Sequence, residues 1–222
     1  MIKKNHIVTN GIHIELIEKS KNDIFILFHG MFSHSKSSDM TQTKEFLLTK
    51  GYSVLSFDYP GHGKSYGKLN GITLSSILTS SDIIFNSIKN YKNIYLLGFS
   101  FGANPLIYQA SKIRNLKGII LFNPATNMLE LIFRNKTQKD LDSYTKKHRK
   151  ISIKSKLRFF WECRIHDNYR LARKINCPVY VYHIKNDNSV PIRQSLKLVK
   201  NLKNGFLMSE DKSNHSMEDE LK

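Results

Sequence analysis

Three residues, met in the order Ser100, Asp187, His215 along a chain of 222, have the types needed for acyl transfer. Ser100 sits in Gly98-Phe99-Ser100-Phe101-Gly102. The apolar run Asn93-Ile94-Tyr95-Leu96-Leu97 leads into it, and a helix-forming stretch begins near Ala103. A serine between two glycines at a strand-to-helix junction occupies a tight, strained turn that lifts its hydroxyl clear of the sheet. A serine hydroxyl is a weak nucleophile at neutral pH. It needs a base, and the base needs a carboxylate to orient it. Asp187 follows the short apolar strand Val179-Tyr180-Val181-Tyr182-His183-Ile184 and precedes a helix opened by Pro191. His215 follows a further strand, Gly205-Phe206-Leu207-Met208, and the loop after it. Parallel strands joined by helices present all their C-terminal ends on one sheet edge, so the three groups can converge there.

The elements that must position them are legible as alternation. Residues 6–18 read as a hairpin, with Asn10-Gly11 as its turn. Residues 24–28 form a continuous apolar run, the mark of a strand covered on both faces. A helix over 39–49, a strand over 53–57, a helix over 73–89, the strand before Ser100 with its helix to about 113, and a strand over 118–122 follow. Such alternation predicts an α/β fold with a mostly parallel, doubly wound sheet and helices on both faces.

Four segments resemble the α/β-hydrolase superfamily: Phe28-His29-Gly30-Met31-Phe32, the loop Asp58-Tyr59-Pro60-Gly61-His62-Gly63-Lys64-Ser65, the turn around Ser100, and the Asp187/His215 pair. The likeness is to the small serine esterases and lipases, a group that includes the S33 serine aminopeptidases and monoacylglycerol lipases. It runs from about residue 12 to the C-terminus, outside 125–175. It implies one α/β-hydrolase domain over 1–222 with a short helical cap insertion at about 125–175. It also implies an oxyanion hole made of the backbone N–H groups of Met31 and Phe101. The side chains at 31 and 101 are then left to shape an apolar acyl pocket. His29, His62 and Asp58 read as structural residues of their loops, His183 as a core residue, and Cys163 and Cys177 as unreactive. Asp211 and Glu210 are weaker rivals to Asp187, because they lie so close to His215 in sequence.

The implied activity is a serine hydrolase acting on a carboxylic ester through Ser100, His215 and Asp187 and a covalent acyl-enzyme. The alternatives are a thioesterase or acyltransferase working on an acyl group borne by coenzyme A or a carrier protein and, in another class, a hydrolase-like binding module without turnover. No metal-ligand spacing, phosphate-binding glycine loop or dinucleotide fingerprint is present, so neither cofactor nor metal is expected.

The formal net charge is +17. Lys136, Lys139, Lys146, Lys147, Arg149, Lys150, Lys154, Lys156 and Arg158 concentrate that charge in the insertion. A cluster of one sign attracts anionic partners: an acyl-CoA, an acidic acyl carrier protein or an anionic lipid. A solvated face without a partner accounts for it equally well. No nucleic-acid-binding module is recognisable. The N-terminus lacks an apolar signal region, no run reaches membrane-spanning length and cysteines number two, so a cytoplasmic location is expected.

Overall fold

The computed structural model describes residues 3–88, 90–133 and 153–211. Eight strands form one sheet: β1 (Lys3–Thr9), β2 (Ile12–Glu18), β3 (Asp23–Phe28), β4 (Ser53–Phe57), β5 (Asn93–Phe99), β6 (Leu116–Phe122), β7 (Val179–Ile184) and β8 (Gly205–Glu210). Their order is β1-β2-β4-β3-β5-β6-β7-β8. β2 runs antiparallel to β1 and β4, and every later pair is parallel. The hairpin β1–β2 turns at Asn10-Gly11, both with positive φ, as a two-residue hairpin turn requires.

The helices are α1 (Ser38–Thr49), α2 (Leu74–Ser87), α3 (Ala103–Ala110), α4 (Met128–Phe133), α5 (Ile153–Ile165), α6 (Asn168–Ala172) and α7 (Arg193–Asn201). Apolar residues of the central strands alternate between two cores. Ile24, Ile26 and Phe28 of β3 join Ile94 and Leu96 of β5 in the larger one, which α2, α3 and α7 cover. Phe25 and Leu27 join Leu97 and Phe99 in the smaller one, under Met40 and Leu47 of α1. A strand that must be apolar on both sides carries no period-two signal, which is why β3 reads as an unbroken run.

The order β4-β3-β5 has a functional consequence. From β3 the chain crosses through α1 to one side, and later strands build out on the other. The loops leaving β3 and β5 therefore diverge to opposite faces and open a crevice at the carboxyl edge, where open α/β sheets bind ligands. Ser100 leaves β5 at that point. Between β6 and β7, where the sequence predicts a helical insertion, stand α4, α5 and α6.

Candidate active site

The turn after β5 has the strain its sequence predicts. Ser100 has φ +48, a left-handed value rarely adopted by a side-chain-bearing residue, and a 3-10 turn (Ser100–Gly102) carries the chain into α3. The flanking glycines are demanded by proximity, since neither has a positive φ. A Cβ on Gly102 would lie 2.4 Å from the Phe28 carbonyl oxygen and 2.8 Å from that of His29. One on Gly98 would lie 2.9 Å from Leu106 Cδ1. The helix thus begins hard against the end of β3. A Cβ on Gly30 would sit 3.7 Å from the Ser100 Cβ, so the loop after β3 passes beside the serine.

That loop is held by two imidazoles. His29 is fully buried. Its Nδ1 is 2.7 Å from the Gly30 carbonyl, and its Nε2 accepts from the Tyr59 N–H at 3.2 Å. A carbonyl can only accept, so the ring is neutral with its proton on Nδ1. The Tyr59 hydroxyl donates to the His29 carbonyl at 3.1 Å. Burial pushes the His29 imidazole down to about 3. His62 repeats the arrangement: Nδ1 is 3.1 Å from the Pro60 carbonyl, and Nε2 accepts from the Phe32 N–H at 3.2 Å. Burial lowers it too. Phe32 has φ +63, a strained position that His62 thereby pins.

Asp58 shapes the second loop. Its carboxylate accepts from the Ser35 N–H at 2.6 Å and the Lys64 N–H at 2.9 Å, and its carbonyl accepts from the Ser65 hydroxyl at 2.6 Å. Burial alone would raise this carboxyl; the amide hydrogen bonds outweigh it and hold the carboxyl below its ordinary value. Gly63 has φ +48, and a Cβ there would strike the Asp58 carboxylate. Behind it, a buried ion pair between Lys44 and Glu15 fixes the Ser35 carbonyl, which accepts from Lys44 Nζ at 3.0 Å.

Met31 lies in the loop after β3, partly buried and packed on the larger core. Among the described residues, neither its amide nor that of Phe101 has a hydrogen-bond acceptor. The Phe101 side chain packs into the larger core. It is 1% exposed, with its ring centroid 6.2 Å from Tyr59 and 6.1 Å from Phe159 of α5. A residue at the start of a helix packed against the sheet turns its side chain into the core.

Asp187 occupies the β7–α7 loop and is 4% exposed. Its Oδ1 accepts from the Ser189 N–H at 2.7 Å and the Val190 N–H at 2.9 Å. His183, in the core as expected, contacts the same loop: Nε2 is 3.0 Å from the Val190 carbonyl and Nδ1 is 2.6 Å from Ser195 Oγ. Asp211 is a surface residue by contrast, its side chain 72% exposed and paired with Lys185. His215 lies outside the described residues, as do Lys136, Lys139, Lys146, Lys147, Arg149 and Lys150 of the basic cluster. Cys163 and Cys177 are buried, and burial pushes the Cys163 thiol up to about 12, away from nucleophilic use.

Buried amides without any sequence pattern complete the framework. Asn104 Nδ2 donates to the carbonyls of Phe101 and Ala125. Asn168 Nδ2 donates to Asn104 Oδ1 and to the Thr126 carbonyl. Gln194 Oε1 accepts from the Thr126 and Asn127 amides. Asn123 Oδ1 accepts from the Ile184 N–H, tying the end of β6 to that of β7. Isolated Asn and Gln residues carry no periodicity or motif, so only the structure singles them out. Among the described residues no cluster of metal-binding side chains occurs, and no helix is long and apolar enough to cross a membrane.

Residues 19–168, more than half the chain, match the family model described as serine aminopeptidase, S33. The chain belongs to that family and is an α/β-hydrolase. This hydrolase is 24% identical over 202 residues to the L404 protein of Acanthamoeba polyphaga mimivirus, named for an alpha/beta hydrolase. The alignment covers 87% of the chain and 68% of that relative. The chain spans about half (51%) of two further curated relatives, from Caenorhabditis elegans and Homo sapiens. In fold it is similar to Est1E of Butyrivibrio proteoclasticus, solved with ferulic acid bound, at TM-score 0.78 and 22% identity, covering 95% of this chain and 90% of that one. It is likewise similar to the monoacylglycerol lipase of Paleococcus ferrophilus, at TM-score 0.71 and 21% identity, covering 93% and 91%.

Proposed function

We propose that this hydrolase cleaves carboxylic esters by two-step acyl transfer, with Ser100 as nucleophile, His215 as base and Asp187 as the carboxylate that orients it. The observation that carries this reading is the Ser100 turn: a serine at φ +48 beside Gly30, with the amides of Met31 and Phe101 close by in sequence and without acceptors among the described residues.

In the first step Ser100 Oγ attacks the ester carbonyl carbon as its proton passes to His215. The tetrahedral oxyanion receives the N–H groups of Met31 and Phe101. The carbon–oxygen bond to the alcohol then breaks, and His215 gives its proton to the departing alcohol. In the second step His215 takes a proton from water, the hydroxide attacks the acyl carbon, and Ser100 leaves with the proton as the acid is released. Asp187 stabilises the imidazolium formed in each step. Its Oδ1 is already fixed by two amides, so the carboxylate offers a rigid partner. The names of two structural neighbours, an esterase of Pyrococcus furiosus and the monoacylglycerol lipase, support an ester over the amide that the family description suggests.

Hydrolysis of p-nitrophenyl esters from acetyl to palmitoyl, by wild type and Ser100→Ala, tests the proposal. A rate peaking at one chain length and falling by roughly 10⁴-fold or more in the variant is expected. Folded wild-type protein inert on every ester, yet turning over acyl thioesters, would transfer the same mechanism to a thioester. A rate equal in Ser100→Ala would overturn it.

A further inference from the structure

Helix α5 carries an apolar stripe on the wrong side. Its inward face is accounted for: Phe159 packs on the larger core, with its ring 6.1 Å from that of Phe101, and Cys163 is 7% exposed. Glu162 Oε2 accepts from the Ser75 N–H at the start of α2 at 2.9 Å. At 3.6 residues per turn, Trp161 points away from the direction shared by Phe159 and Cys163. It does so with Leu157 and Ile165, at i, i+4 and i+8. These three side chains are 58%, 56% and 82% exposed. Amphipathic helices of globular proteins bury such a stripe and turn charge to solvent; α5 buries one stripe and exposes a second.

Cations surround the second stripe. Lys154 is exposed one turn before Leu157, and Arg158 follows directly. The Arg164 guanidinium lies 5.4 Å over the Trp161 ring. Arg158 is paired with Glu162, whereas Lys154 and Arg164 form no ion pair among the described residues. A second copy of this chain is a poor occupant. A twofold contact through α5 would bring these cations against themselves, in a chain of net charge +17. Trp, Leu and Ile bordered by Lys and Arg on one helix face is the composition of a helix lying in a membrane interface.

We infer that α5 docks this protein on an anionic lipid surface, with Leu157, Trp161 and Ile165 entering the acyl boundary and Lys154, Arg158 and Arg164 meeting the headgroup phosphates. The docking stands by itself. Its consequence for substrate, an ester delivered from the lipid to the site beneath Phe159, rests on the reading of Ser100 as nucleophile.

Trp161 is the chain's single tryptophan, so its fluorescence reports on this surface alone. With full-length protein and vesicles of equal parts phosphatidylglycerol and phosphatidylcholine, the emission moves to shorter wavelength and the protein co-sediments. Vesicles of phosphatidylcholine alone bind far less, and added salt weakens binding. Leu157→Ser with Ile165→Ser weakens partitioning by more than about tenfold. Lys154→Glu with Arg164→Glu weakens it by roughly fivefold per charge or more. Ser100→Ala binds as wild type does, and both double variants hydrolyse a soluble p-nitrophenyl ester at the wild-type rate, which separates docking from chemistry. Absence of binding to anionic vesicles would overturn the inference. So would binding that survives both double variants. A blue shift produced by raising protein concentration alone would give the stripe to a second copy, and one produced by polyglutamate but not by vesicles would give it to an acidic protein.

Discussion

The loops after β3 and β4 and the helix α5 both border the Ser100 turn, yet they are held in opposite ways. The loop corner is fixed by directional polar contacts: His29 to Tyr59, His62 to Phe32, Asp58 to Ser35 and Lys64. Nearly all of these groups are out of solvent. Helix α5 is held by a few side chains, Phe159, Cys163 and Glu162, and leaves the apolar stripe of Leu157, Trp161 and Ile165 exposed. Groups that must meet developing charge have to be placed within fractions of an ångström before the reaction, and short buried hydrogen bonds do that. A surface that takes up substrate or a lipid needs only a face and an anchor.

The corner should therefore break sharply and the helix gently. The largest effect is expected at Gly102→Ala. Its new Cβ meets two backbone carbonyls that cannot swing away, Phe28 and His29. Urea denaturation should show a loss of roughly 3 kcal/mol or more, and activity should fall with it; a neutral result would mean that α3 does not abut β3 as described.

The next test uses pH. His29 stays neutral in the folded protein down to about 3, whereas the unfolded imidazole takes a proton near 6.5. Between those values the unfolded state binds more protons, so stability is full above pH 6.5 and falls as pH drops toward 3. The loss from this one group is on the order of 4 kcal/mol across the window. In His29→Asn, stability at neutral pH drops, but its slope between pH 6.5 and 4 flattens. A slope remains at lower pH, because the unfolded Asp58 takes up its proton before the folded carboxyl, held down by the Ser35 and Lys64 amides, does. An unchanged slope in the variant would remove His29 as the acid-sensitive brace.

The smallest effects belong to the helix. Phe159→Ala should cost about 1–2 kcal/mol in unfolding free energy, since its side chain is only partly buried. Glu162→Gln keeps an acceptor for the Ser75 amide and should change stability by less than about 1 kcal/mol. A collapse of the fold in either would show that α5 is as integral as the loop corner.

Much of this was legible beforehand because it rests on local pattern. Strand 53–57 and the turn at Asn10-Gly11 follow from short apolar content and turn chemistry, and the structure has both. The start of α2 was legible to one residue, whereas the cap at Thr73 is seen only in the structure: its hydroxyl accepts from the Ser76 N–H, and the Ser76 hydroxyl accepts from the Thr73 N–H. The Ser100 turn was legible because two glycines around a serine after an apolar strand leave few other conformations. The second apolar stripe of α5 was not, because Leu157, Trp161 and Ile165 share a face only once residues 153–165 form one helix.

By itself the sequence determined the alternation of strands and helices and the identity of the strained serine, both of which depend on neighbours along the chain. The tertiary structure decided what depends on contacts between distant segments. It turned the Phe101 side chain into the core, pinned Phe32 with His62 from thirty residues away, and joined Asn104, Thr126, Asn168 and Gln194 behind the turn. Those partners are set by packing at the carboxyl edge of the sheet, and packing is a property of the folded chain as a whole.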